Sequence, residues 1–239
     1  MQTIPKKITP CSIIEAVFEA RFETSIPNAA VLGLLYPNLR DKFQYFNELP
    51  ILQIPENIRN ENPNLKYQPF YRFSDNANFQ ILVGSNVVAI SNTRNYAGWE
   101  LFSENIYFIL NMLLEAKIPS SISRFGLRYM SFFELDIFKV INFELTQNKS
   151  SFSSEALVVS SLLRRDNFLM NLQLSNNAIL PEDQKKGSLV DIDTYVENIE
   201  LERFKEEYKP ILENAHLQEK KLFFGLLNKD FLDSFSPEY

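Results

Sequence analysis

The sequence predicts an α+β protein: two pseudo-repeated β-α-β4-α units whose strands join in a continuous curved antiparallel sheet, with the helices on one face. Three observations carry this. Several stretches alternate apolar and polar side chains with period two, the mark of a half-buried strand. Two long segments place apolar residues at helical spacing. The order of these elements is spelled once over residues 14 to 116 and again over 123 to 233. The division that follows is residues 1–120 for the first unit with its lead-in, and 121–239 for the second with a long terminal helical segment.

In chain order, residues 1 to 11 hold two prolines and two lysines and read as an irregular lead-in. From Ile14, the residues Ala16, Phe18, Ala20 and Phe22 fall on one side and Glu15, Val17, Glu19, Arg21 and Glu23 on the other, which predicts a long strand with a mostly charged outer face. Asn28 is an expected helix N-cap, with Val31, Leu34, Leu35 and Leu39 following at helical spacing and Pro37 expected to kink or end the helix. Between Leu49 and Asn64 prolines and asparagines interrupt every pattern, so only a short strand near Ile51 to Ile54 is expected before a loop.

A meander follows. Strands are expected over Tyr67 to Phe73, Phe79 to Val83 and Val87 to Ile90, the last two joined at Gly84-Ser-Asn86, where Gly and Asn suggest positive φ. From Ala97 to Ala116, Phe102, Ile106, Ile109 and Leu113 form one stripe and predict a helix. Arg124 to Phe133 alternates as a strand, a helical piece is expected around Asp136 to Ile141, and Gln147 to Ser154 reads as a polar loop. Strands over Ala156 to Leu163 and Phe168 to Leu174 flank Arg164-Arg-Asp-Asn167, a turn signal, and another strand is expected from Ser188 to Val196. Leu201, Phe204, Tyr208, Leu212, Ala215 and Leu222 predict a terminal helix, with a kink or break near Pro210.

Composition narrows the function. The chain of 239 residues carries 24 Lys+Arg against 30 Asp+Glu, a net charge of −6. That balance disfavours nucleic acid, whose sequence-blind binding needs a basic stripe to displace counterions. One Cys excludes an internal disulfide framework and a thiolate zinc site, and with Cys11 and His216 some two hundred residues apart and no Gly-x-Ser-x-Gly elbow, a nucleophilic triad is not expected. His216 follows Glu213 at i−3, half of a carboxylate–histidine metal motif with no second half. No apolar run is long enough to span a bilayer, and the start lacks a signal-peptide core, so a cytoplasmic chain with no membrane partner is expected.

The candidate site residues lie on the predicted strands and at one helix start. Asp191 and Asp193 point to one side of a strand and can meet Arg124 and Arg128, which share a side of theirs. With Arg21, Glu15 and Glu19 they form either a charged cradle or a solvated face of cross-strand ion pairs. The same two aspartates are a pair that can help hold Mg²⁺, though no phosphate-binding Gly-rich loop accompanies them. Trp99, the single tryptophan, precedes Glu100 at the expected helix start. Its role is either interface anchor or helix–sheet packing.

The element order resembles the duplicated saddle of the TATA-box-binding protein superfamily, a resemblance of order without a shared motif. Local motifs resemble a different group. Glu15 to Phe22 (Glu-Ala-Val-Phe-Glu-Ala-Arg-Phe), Tyr96 to Glu100 (Tyr-Ala-Gly-Trp-Glu), Arg124 to Tyr129 (Arg-Phe-Gly-Leu-Arg-Tyr) and the stretch from Ala215-His-Leu to Phe223 and Leu226 are similar to a sporadically distributed bacterial family of about this length and of unknown function. Sporadic distribution implies genes that travel with mobile elements, including phage-defence and toxin–antitoxin cassettes. The expected function is a non-enzymatic protein-binding module that needs no cofactor, its partner another protein encoded by a neighbouring gene. The alternative is a small-molecule or nucleotide sensor that uses the arginines as a bidentate clamp. A metal-dependent enzyme built on Asp191 and Asp193 is the third reading.

Overall fold

The computed structural model describes residues 3–93, 95–147, 150–151, 154–181 and 184–239. The elements, in order, are β1 (Ile13–Glu23), α1 (Asn28–Lys42), β2 (Tyr45–Glu48), α2 (Glu56–Glu61), β3 (Tyr71–Ser74), β4 (Phe79–Val83), β5 (Val87–Thr93) and α3 (Trp99–Glu115). Then come β6 (Ser121–Phe133), β7 (Thr146–Gln147), β8 (Ser150–Ser151), β9 (Val158–Arg165), β10 (Phe168–Ile179), β11 (Lys186–Ile199), α4 (Leu201–Leu226) and α5 (Lys229–Asp233). The protein is α+β, with nine strands in one sheet of order β2-β3-β4-β5-β1-β6-β11-β10-β9 and β7–β8 as a separate hairpin. The β2/β3, β3/β4, β4/β5 and β9/β10 ladders are antiparallel.

The chain forms two compact units. The first comprises residues 16–127 and 195–212, and the second residues 1–15, 128–194 and 213–239. In the first, the apolar side of β1 (Ala16, Phe18, Ala20 and Phe22) is fully buried, because alternation sends all four under the helices. Phe125 of β6 meets Phe18 edge-on at 5.1 Å and Phe204 of α4 at 5.2 Å. The α3 stripe of Phe102, Ile106, Ile109 and Leu113 is buried as its spacing predicts. In the second unit Phe133 gathers Phe223, Phe231 and Phe235 with ring centroids at 6.4, 5.4 and 5.9 Å. A fully buried ring such as Phe18 or Phe125 contributes about 1.5–3 kcal/mol by leaving water.

Several local expectations are corrected. The strand expected at Ile51 to Ile54 is a 3₁₀ turn over Pro50–Gln53, since Pro50 fixes a helix-compatible φ and offers no N–H to a ladder. The strand lies earlier, at β2, where Phe46 packs on Phe73 at 4.9 Å and on Tyr36 at 5.4 Å. The loop that follows contains α2. Asn28 is the first residue of α1, and the capping position belongs to Pro27. Neither Pro37 nor Pro210 ends its helix. Leu35 and Leu39 flank the first, Tyr208 and Leu212 the second, and all four are buried. Packing of that kind offsets the roughly 3 kcal/mol that an interior proline costs.

Tyr67 lies outside β3, which starts only at Tyr71 after Pro69. Gly84 does not supply positive φ; a Cβ there would sit 2.5 Å from the Gln68 carbonyl oxygen, so close backbone approach is what demands glycine. Positive φ is supplied instead by residues such as Asn78 in the β3–β4 turn and Asp166 in the β9–β10 turn, with φ of 66° and 50°. The expected polar loop after Gln147 is described only in part and includes the β7–β8 hairpin. Among the described residues no helix is long and apolar enough to cross a membrane.

Candidate functional site

Strand β1 puts Glu19, Arg21 and Glu23 on its solvent side in the first unit. Glu19 Oε1 accepts from Arg21 Nε at 2.7 Å and from Arg124 Nη1 at 2.8 Å, so one carboxylate oxygen ties two strands' arginines together. Both guanidiniums also lie over tyrosine rings: Arg21 over Tyr67 at 5.3 Å and Arg124 over Tyr195 at 4.6 Å. An ion pair and an aromatic face restrict each arginine at once, with the stacks worth about 0.5–1 kcal/mol each at a surface. Glu23 accepts from Lys66 Nζ at 2.6 Å and from the Tyr67 hydroxyl at 2.9 Å. Partial burial pushes the Glu23 carboxyl up, but those two bonds outweigh it and hold it below its ordinary value. The hydrogen bond to Glu23 correspondingly holds Lys66 above its own.

The second unit carries a separate pair. Arg128 donates through Nε to Asp191 Oδ1 at 2.8 Å and through Nη2 to Asp191 Oδ2 at 2.6 Å, the two-pronged geometry that suits a planar guanidinium. The Asp191 side chain is 7% exposed and that of Arg128 46%, so the pair is buried at its acidic end. Hydrogen bonding to Asp191 holds Arg128 more firmly charged, against its partial burial, and Asp193 and Glu15 add attraction.

On the other side of the same strands lies a buried polar set. The Tyr129 hydroxyl and His216 Nδ1 share a hydrogen bond of 3.3 Å. Burial, reinforced by Lys220, pushes the His216 pKa down to about 3, so the ring is neutral. Thr194 Oγ1 bonds Glu219 Oε2, and the other Glu219 oxygen has no hydrogen-bond partner among the described residues. Burial raises the Glu219 pKa well above its ordinary value; the Thr194 bond opposes this, and Asp193 and Asp191 add to the rise.

Of the site residues read from sequence, Arg21 and Arg124 meet at Glu19, and Arg128 meets Asp191 as expected. Arg124 donates to Glu19. Asp193 acts on Arg128 through its charge. Trp99 and Glu100 sit apart, at the start of α3. Trp99 is half-buried with its ring edge-on to Phe102 at 6.4 Å, and Glu100 is exposed in the first turn, where a carboxylate suits the positive helix end. Tyr67, Lys66, Glu23, Tyr195 and Glu219 were not singled out by sequence. Tyr195 had a usable signal, since it shares strand parity with Asp191 and Asp193. Tyr67 had none, because a turn brings it in.

Carboxylates engage each guanidinium through part of its donor set: Arg21 through Nε, Arg124 through Nη1, and Arg128 through Nε and Nη2. No group of three or more His, Cys, Asp or Glu among the described residues is arranged to hold a metal ion. No protein-family model matches the chain, and neither a curated protein nor a solved structure does.

Proposed function

We propose that the chain is a non-enzymatic protein-binding module whose recognition surface is the Glu19–Arg21–Tyr67–Arg124–Tyr195 face of the first unit. The observation that carries this reading is the pair of arginines restricted by both an ion pair and a tyrosine face. Arg and Tyr are the side chains most enriched at interface hot spots, and holding them in place before contact lowers the ordering cost of binding. The net charge of −6 attracts a basic partner at long range. That the partner is encoded by a neighbouring gene in a mobile phage-defence or toxin–antitoxin cassette rests on the family resemblance of the quoted motifs.

The finer architectural reading, a twice-repeated plan, is part of the same proposal. Its support is the strand order, which runs β2-β3-β4-β5-β1 from one edge and β9-β10-β11-β6 from the other. In each list a meander ends beside the opening strand of its half.

The test is co-expression with the product of the neighbouring gene, followed by size-exclusion chromatography. Co-elution that is lost in the Arg21→Ala/Arg124→Ala double variant is the expected result. A nucleotide-induced thermal shift of several degrees that disappears in Arg128→Ala, with no co-elution, assigns the chain to the sensor reading instead.

A further inference from the structure

Strand β9 ends the nine-stranded sheet, and among the described residues no strand pairs with its outer edge. Its first six residues, Val158 to Leu163, carry no charge. Val158 and Leu162 are each 62% exposed on one side, Val159 and Leu163 are half-buried on the other, and eight residues pass without a proline, a lysine or a break in the β10 register. Edge strands that stay unpaired are commonly short, charged or bulged. Strand β2, at the opposite edge, has four residues.

We propose that β9 pairs antiparallel with β9 of a second copy of this chain, about a two-fold axis at Ser160. The backbone geometry allows that register. The two-residue Asp166-Asn167 turn makes Arg165 and Phe168 a hydrogen-bonded pair, so alternate backbone groups back to Val159 face β10. Those of Val158, Ser160, Leu162 and Arg164 therefore face outward. Pairing about Ser160 sets Val158 of each copy opposite Leu162 of the other, which covers both exposed apolar side chains at once. It also carries the Arg164-Arg165 end of each β9 toward Glu155 of the other copy. A parallel arrangement would set arginine against arginine. The same patch on both copies makes an isologous interface, which closes at two. This inference does not depend on the binding role proposed above.

The experiment uses the full chain at tens of micromolar, with its mass read by light scattering after size exclusion. A dimer is expected, and Leu162→Lys or Ser160→Pro is expected to give a monomer with an unchanged circular dichroism spectrum. The N–H that proline removes at 160 faces away from β10, and the Leu162 side chain is exposed, so neither change touches the core. In a Cys11→Ser background, Ser160→Cys should cross-link two copies on mild oxidation, because facing Cα atoms in such a pair lie about 5.5 Å apart. Val158→Cys should not, since it faces residue 162. A monomeric wild type, a dimer indifferent to Leu162→Lys, cross-linking that favours Val158→Cys, or a monomer that adds a strand of a different protein at β9 would each overturn the proposal.

Discussion

Glu219 and His216 lie three residues apart on α4, and burial shifts both toward the uncharged form, so each makes stability depend on pH with opposite sign. The Glu219 pKa is raised on folding, so its contribution is complete below the ordinary carboxylate pKa of about 4.3 and is lost as pH climbs through the raised value. Glu219→Gln keeps an acceptor for Thr194 without a proton to lose. Its stability relative to wild type, measured by urea denaturation at pH 5 and pH 9, should therefore rise with pH; a pH-independent difference would show that Glu219 does not titrate in this range. The His216 pKa is depressed from 6.5 to about 3, so its contribution is present above 6.5 and lost as pH falls through that window. Arg128→Ala leaves the Asp191 carboxylate buried without its two-pronged donor, and should cost about 1–3 kcal/mol in a denaturant titration. Asp191→Asn, which removes the charge as well, should cost less, and equal costs would mean the carboxylate is not stranded.

At the scale of elements, the sequence was legible where one physical rule dominated. The alternation of β1 and β6 and the stripe of α3 each bury a full row of apolar residues, so periodicity alone located them. It misled where a proline or a tertiary contact overrode the local pattern. Pro50 turned an apolar run into a 3₁₀ turn, while buried leucines carried α1 through Pro37. The arginines of the candidate site were readable because charged residues on the open side of a buried strand stand out. Of their tyrosine partners, Tyr195 had a signal in its strand parity, whereas Tyr67 had none, because it arrives from a turn across the fold. Gly84 was read for its backbone freedom, yet it is needed for the space beside Gln68. Gly84→Ala should accordingly cost about 1–3 kcal/mol, as overpacking does, and melt earlier in calorimetry. A neutral effect would show that the Gln68 backbone gives way.

For the whole molecule, the −6 net charge and the first unit's restrained arginines together favour a partner that is itself a protein with a basic surface. Hot-spot side chains of this kind carry about 1–3 kcal/mol each, or roughly a ten- to hundredfold change in affinity. The most direct measurement is therefore calorimetric titration of this chain with the purified product of the neighbouring gene, repeated with Tyr67→Ala and Arg124→Ala. The account predicts saturable one-to-one binding per chain that each substitution weakens at least tenfold while the circular dichroism spectrum stays unchanged. No binding, or binding that both variants retain in full, would contradict it.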